Sequence, residues 1–154
     1  MKSFPAFGIL LRRPNERKNI EKVLMAGSSL PGPRGNIALA HDFARVLSTL
    51  RIEDWHWEML GAWQAKSLAA APVNTAEEFL PFCAALAMGV MYPSLARPGR
   101  RRALAAVKVA AADPRWRTRE AVAMALQAIG EHAPAELKEI VERWMPVAGW
   151  LEKR

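Results

Sequence analysis

A single cysteine, Cys83, occurs in 154 residues, so no intrachain disulfide can form and a reducing compartment is the natural setting. Cys83 lies between Phe82 and Ala84 with no base beside it. That context marks a small core residue rather than a nucleophile. Runs of β-branched residues are missing, which argues against a sheet-dominated fold. Long apolar runs are missing too. The longest, residues 79–92, is too short to span a bilayer and contains Pro81. Residues 4–11 make a short apolar run with Pro5 inside it, closed by Arg12 and Arg13 without a small-residue cleavage site. No export signal is therefore expected. These absences predict a soluble cytoplasmic protein with no membrane partner. The three histidines, His41, His56 and His132, are scattered without metal-ligand spacing, so no metal site is expected. There is no glycine-rich phosphate loop with a lysine, no Gly-x-Ser-x-Gly and no paired-cysteine motif, so no cofactor is expected.

What is present is apolar and helical in character. The chain is 51% hydrophobic and long enough for one domain, residues 1–154, with a substantial core. Alanine is abundant in the second half, which favours helix. Charge is unevenly placed. Residues 97–119 carry eight basic side chains (Arg97, Arg100, Arg101, Arg102, Lys108, Arg115, Arg117 and Arg119) against one acid, Asp113. The entire formal net charge of +7 sits there, and the remaining 14 basic and 14 acidic residues balance. Such a block points to an anionic partner.

Turn signals divide the chain into about seven helices. Residues 1–14 read as a loose lead-in. Asn15 is placed to cap a helix to residue 26, with Ile20, Val23 and Leu24 inward. Residues 28–36, SSLPGPRGN, are a loop, and its Pro31–Gly35 stretch offers Arg34 and backbone N–H groups to a phosphate. Asn36 is placed to cap the next helix, which carries Leu39, Phe43 and Leu47. A third helix is expected over residues 53–71, ended by Pro72, with Asp54 near its start. Thr75-Ala-Glu-Glu78 has the spacing of a capping box for a fourth, running to residue 91. Pro93 and Pro98-Gly99 mark a loop, and a fifth helix is expected over residues 100–112.

Residues 113–151 carry the clearest pattern. Asp113 is placed to cap, Pro114 suits the first helical position and Gly130 is placed to stop the helix. Between them Thr118, Val122, Ala125, Leu126 and Ile129 recur at three- and four-residue spacing. Ala121, Ala123 and Ala125 are small enough for close helix approach. A last helix from Pro134 to about Leu151 carries the stripe Leu137, Val141, Trp144, Ala148, Leu151. In a repeat stack this stripe would pack on a further unit; exposed, it would serve a protein partner or self-association.

The pattern Asp113-Pro-x-Trp116-x-x-Arg119-x-Ala121-x-x-x-Ala125-Leu126-x-x-Ile129-Gly130 resembles HEAT-like repeats. More narrowly, it resembles the bacterial HEAT-like proteins grouped with alkylpurine DNA glycosylases. The resemblance implies an all-α, right-handed superhelical stack of antiparallel helix pairs, a HEAT-like α–α solenoid. It implies that Asp113 and Arg119 tie one unit to its neighbour. It also implies a concave, positively charged cleft for duplex DNA, in which aromatic residues and a carboxylate meet a lesion. The matching ingredients here would be Trp55, Trp57, Asp54 and Glu58, with Trp57 the best placed for exposure because it lies off the Met59/Trp63 face. After Trp55 and Trp57 the family's carboxylate one turn on is absent, since Met59 and Gly61 stand at those places.

The expected function is therefore a non-enzymatic helical-repeat scaffold with a basic face for an anionic partner, duplex DNA first. Its contacts would come from Arg97, Arg100, Arg101, Arg102, Lys108, Arg115, Arg117 and Arg34. The alternatives are a repair enzyme or degenerate relative of the alkylpurine glycosylases, and a protein–protein adaptor.

Overall fold

The computed structural model describes residues 7–147 and 149. Among them the chain is all helical. Helix α1 (Phe7–Leu10) is one turn. A 3-10 turn, Pro14–Glu16, leads into α2 (Arg17–Gly27), then α3 (Ile37–Ser48) and α4 (Asp54–Gln64). A second 3-10 turn, Ala76–Glu78, opens α5 (Phe79–Met91). After Tyr92–Ser94 come α6 (Arg97–Ala111), α7 (Trp116–His132) and α8 (Pro134–Trp144). None of the helices is long and apolar enough to cross a membrane.

Helix α5 organises the rest. Every residue but Val90 is buried, so it has no polar face and must be covered on all sides. It packs between α3 and α7, with α4 and α6 against it as well. Pro81 sits in its first turn, where the missing N–H removes no helical bond. The approach to α7 is close because Gly89 lies against Ala125. A Cβ at Gly89 would fall inside the van der Waals envelope of the Ala125 backbone. The small residues of α7, Ala121 and Ala125, are fully buried on this contact side of the core.

Several boundaries differ from the sequence expectation, each for a local reason. Residues 7–14 are not a loose lead-in: Phe7 and Leu11 are buried, and the Phe7 ring meets Phe43 edge-on at 5.6 Å. Asn15 does not cap α2, which follows Glu16 without a side-chain cap. Asn36 does cap α3, its Oδ1 accepting from the Leu39 N–H at 3.1 Å. The third expected helix stops at Gln64 rather than residue 71. The Lys66 and Ala71 carbonyls beyond it accept from the Arg115 guanidinium. Its start is held by His56, whose Nδ1 accepts from the Glu53 N–H at 2.9 Å while Nε2 donates to the Leu11 carbonyl at 2.8 Å.

The expected capping box at Thr75 does not form. Glu78 accepts from the Asn74 N–H instead, and Thr75 donates to the Pro72 carbonyl. Pro98 and Gly99 lie inside α6, with Pro98 in the first turn, rather than in a loop. Asp113 and Pro114 precede α7, because the Asp113 carboxylate folds back on Arg115. Gly130 does not end α7; it lets α8 approach, since a Cβ there would meet Leu137 Cδ2 at 2.6 Å. Helix α8 buries Ile140 and leaves Val141 exposed, and Met145 just past its end is exposed too. Ala148 and Leu151 of the expected stripe lie outside the described residues.

Two outcomes follow. Gly89→Ala is expected to destabilise by about 1–3 kcal/mol through overpacking against Ala125. Gly61→Ala, in a helix with open space around it, is expected to stabilise by about 0.5–1 kcal/mol. Urea unfolding followed by far-ultraviolet circular dichroism compares them, and equal stability of the two variants would mean that α5 and α7 are not in close contact. Cys83 is fully buried in α5, and burial pushes its thiol well above the usual range. It should resist a thiol reagent in the native protein and react fully only on unfolding; rapid native labelling would show that the α5 environment opens.

Candidate functional site

The basic block resolves into two populations. At the start of α6, Arg97, Arg101 and Arg102 are exposed. The helix begins without a side-chain cap and without an acidic residue in its first turn. Arginines beside a positive helix end repel it, and an anion there would relieve the repulsion. A groove of about 340 Å³ lies between this end of α6 and α8, lined by Arg97, Arg101, Tyr92, Glu136, Glu139 and Arg143, among others. The exposed Arg143 of α8 was not singled out from sequence because it stands among Glu139 and Glu142. Only the pairing of α6 with α8 reveals it.

Arg100 is a clamp inside this site rather than a free cation. Its Nε and Nη2 donate to the Leu95 and Pro93 carbonyls, both at 3.0 Å, and Nη1 meets Glu136 at 3.4 Å. Its guanidinium also lies 5.2 Å from the Tyr92 ring centre. Burial and Glu136 push the Tyr92 phenol above its usual range, with Arg100 and Arg143 opposing. Tyr92 is thus a protonated donor at neutral pH. Arg102 turns away from the groove and lies 4.8 Å over the Trp57 ring. Lys108 sits towards the far end of α6, 5.9 Å from the Trp144 ring, beside an apolar groove with Val122, Leu126, Val141 and Met145.

The second population is structural. Arg115 and Arg117, expected to meet an anion, are buried at 2% and 5% exposure and serve as internal tethers. Arg115 grips Asp113 through Nε at 2.9 Å and Nη2 at 2.8 Å, and also donates to the Lys66 and Ala71 carbonyls. Arg117 pairs with Glu78 at 3.0 Å and donates to the Gly32 carbonyl at 2.8 Å. Arg119 donates to the Asp113 and Pro114 carbonyls just before its own helix. Asp113 and Arg119 therefore act locally at the start of α7. Asp113 fixes Arg115, and it is Arg115 and Arg117 that reach other segments. Arg34 is exposed on the loop 28–36, in a cleft with Trp116 and apart from the α6 groove.

The tryptophans of α4 serve the core. Trp57 is buried, not exposed as expected, with Arg102 over its ring. Trp63 is fully buried and donates to Glu21 at 2.6 Å. Trp55 is half-buried and stacks on His56 at 3.9 Å. Asp54 and Glu58 are exposed carboxylates. This arrangement leaves Trp57 unable to stack on a nucleotide without moving. His41 is held below the usual histidine range by burial and by Arg45, partly offset by Glu131. Among the described residues no group of His, Cys, Asp and Glu is arranged to hold a metal ion. Comparison of the chain with protein-family models, with characterised proteins and with solved structures yields no match.

The tether role of Arg117 is testable. Arg117→Met leaves Glu78 buried without its cation and is expected to cost about 3–5 kcal/mol. Pairing it with Glu78→Leu should recover a large part of that loss. Urea unfolding of the two single variants and the double variant gives the coupling, and simple additivity would mean the pair is not formed.

Proposed function

We propose that the protein is a helical scaffold that binds an anionic surface, with duplex DNA the leading partner, through the start of α6 and the facing edge of α8. The observation that carries this is the exposed pair Arg97 and Arg101 at an uncapped helix start with no acid in its first turn, with Arg143 across the groove. Such contacts neutralise phosphates without reading bases, so binding would be sequence-independent and steeply salt-sensitive. Arg115, Arg117 and Arg119 would act indirectly, by holding the scaffold.

The HEAT-like reading belongs here too. In a stack of antiparallel pairs, alternate helices form a row. Helix α5 packs most heavily on α3 and α7, and α6 contacts α8 through Arg100–Glu136 and Lys108–Trp144. That alternation supports a two-row stack. A second functional reading, a protein adaptor, draws on α8. Val141 and Met145 are exposed there beside an apolar groove completed by Ala111, Val122 and Leu126.

Fluorescence anisotropy of a labelled duplex across a salt series, with and without an abasic analogue, separates these readings. The scaffold reading expects a steep salt slope and no abasic preference. Arg101→Ala should lower the slope by about one and weaken all sequences alike. Reversal of Arg97 and Arg101 to Glu should abolish binding with unchanged stability. A clear abasic preference would favour a repair enzyme, and no binding at low salt would leave the adaptor.

A further inference from the structure

The loop 28–36 and the first turn of α7 enclose a cleft of about 270 Å³, near the small end of ligand pockets. Phe82 and Ile37 give it apolar lining, and Arg34, Trp116 and Glu120 border it. The loop is locked in place. Gly32 N–H donates to Asn74 at 2.9 Å, the Gly32 carbonyl accepts from Arg117, and Asn36 N–H donates to the Ser28 carbonyl at 2.8 Å. Arg34 stands on this fixed loop with no ion-pair partner among the described residues.

Trp116 is 47% exposed, and the Arg117 guanidinium backs its ring at 4.4 Å. The indole is thus a fixed platform with open surface. Helix α7 starts without a side-chain cap and without an acid in its first turn. Among the described residues, the N–H groups of Trp116, Arg117 and Thr118 meet no acceptor. They carry the partial positive charge of the helix end. A second sign is independent of the helix end. Arg117 lines the cleft at 5% exposure, and among the described residues its buried Nε–H has no partner. Buried donors are nearly always satisfied.

A flat aromatic platform, a free guanidinium and orphaned N–H donors in one small cleft match a flat ring joined to a phosphate. We propose that this cleft binds a nucleoside monophosphate unit. The base lies on Trp116, the phosphate meets Arg34 and the start of α7, and Glu120 accepts from a ribose hydroxyl or a base amino group. The unit is either a free mononucleotide or the 5′-phosphorylated end of a strand. The site shares no residue with the α6 groove, so it stands independently of the DNA-scaffold reading.

Isothermal titration of the full chain with AMP tests it, with adenosine and inorganic phosphate as partial probes. AMP should saturate one site, and each partial probe should bind at least about tenfold more weakly. Trp116→Ala and Arg34→Ala alter exposed side chains and should each weaken AMP by roughly tenfold, with the far-ultraviolet spectrum unchanged. Arg101→Glu should leave AMP binding intact. No saturation at millimolar AMP, or AMP affinity unchanged in both cleft variants, overturns the proposal. Competition by a 5′-phosphorylated oligonucleotide, but not by its 5′-hydroxyl counterpart, assigns the strand end. Saturable AMP binding without such competition assigns the free nucleotide.

Discussion

The buried pair between Arg117 and Glu78 is the constraint on which the arrangement of loops depends. Glu78 sits at zero exposure at the entrance to α5, and Arg117 lies in the first turn of α7. Their contact at 3.0 Å spans 39 residues of sequence. The same two side chains hold Asn74 through its N–H and loop 28–36 through the Gly32 carbonyl. Two charges removed from water are costly unless their hydrogen-bonding capacity is used. Here Glu78 Oε2 and Arg117 Nη2 each also meet a backbone group, so the pair fixes where two connecting segments run, although Glu78 Oε1 and Arg117 Nε have no partner among the described residues. Arg115 repeats the device one step away, with Asp113 as its anion and Lys66 and Ala71 as its carbonyls.

This polar frame and the apolar core do different work. Helix α5 supplies a surface that any apolar helix face can cover, so burial alone fixes no register. Gly89 against Ala125 sets the depth of the α5–α7 contact, and Gly130 against Leu137 sets that of α7–α8. The arginine tethers then set which end of α7 meets which loop. Positioning Trp116 beside Arg34 follows from the tethers, whereas the exposed edge of α6 and α8 follows from helix packing.

Helix existence was legible in the sequence because it rests on local periodicity, and Asn36 was legible as a cap because capping is a three-residue event. What failed was anything that depended on a partner far along the chain. Thr75 and Glu78 have the spacing of a capping box, but Glu78 is taken by Arg117. Residues 65–71 have helical composition, yet two of their carbonyls accept from Arg115. The dense run of positive charge was visible, but not its division. An arginine drawn into the core by a distant glutamate has the same letter as one left in water. Arg143 was hidden for the converse reason, since its neighbours in sequence are acids while the groove it lines also takes in Arg97 and Arg101.

The tethers reach mostly to backbone: the carbonyls of Gly32, Lys66, Ala71, Asp113 and Pro114. A carbonyl is the same whatever side chain follows it. Lineages descended from this chain are therefore free to change the identities of exposed loop residues such as Leu68 and Ala69 with little effect on the scaffold. They are not free to change the number of residues, because one insertion moves the oxygen away from its guanidinium. Drift in these loops should be read as substitution at constant length, and a change in their length as a change of architecture.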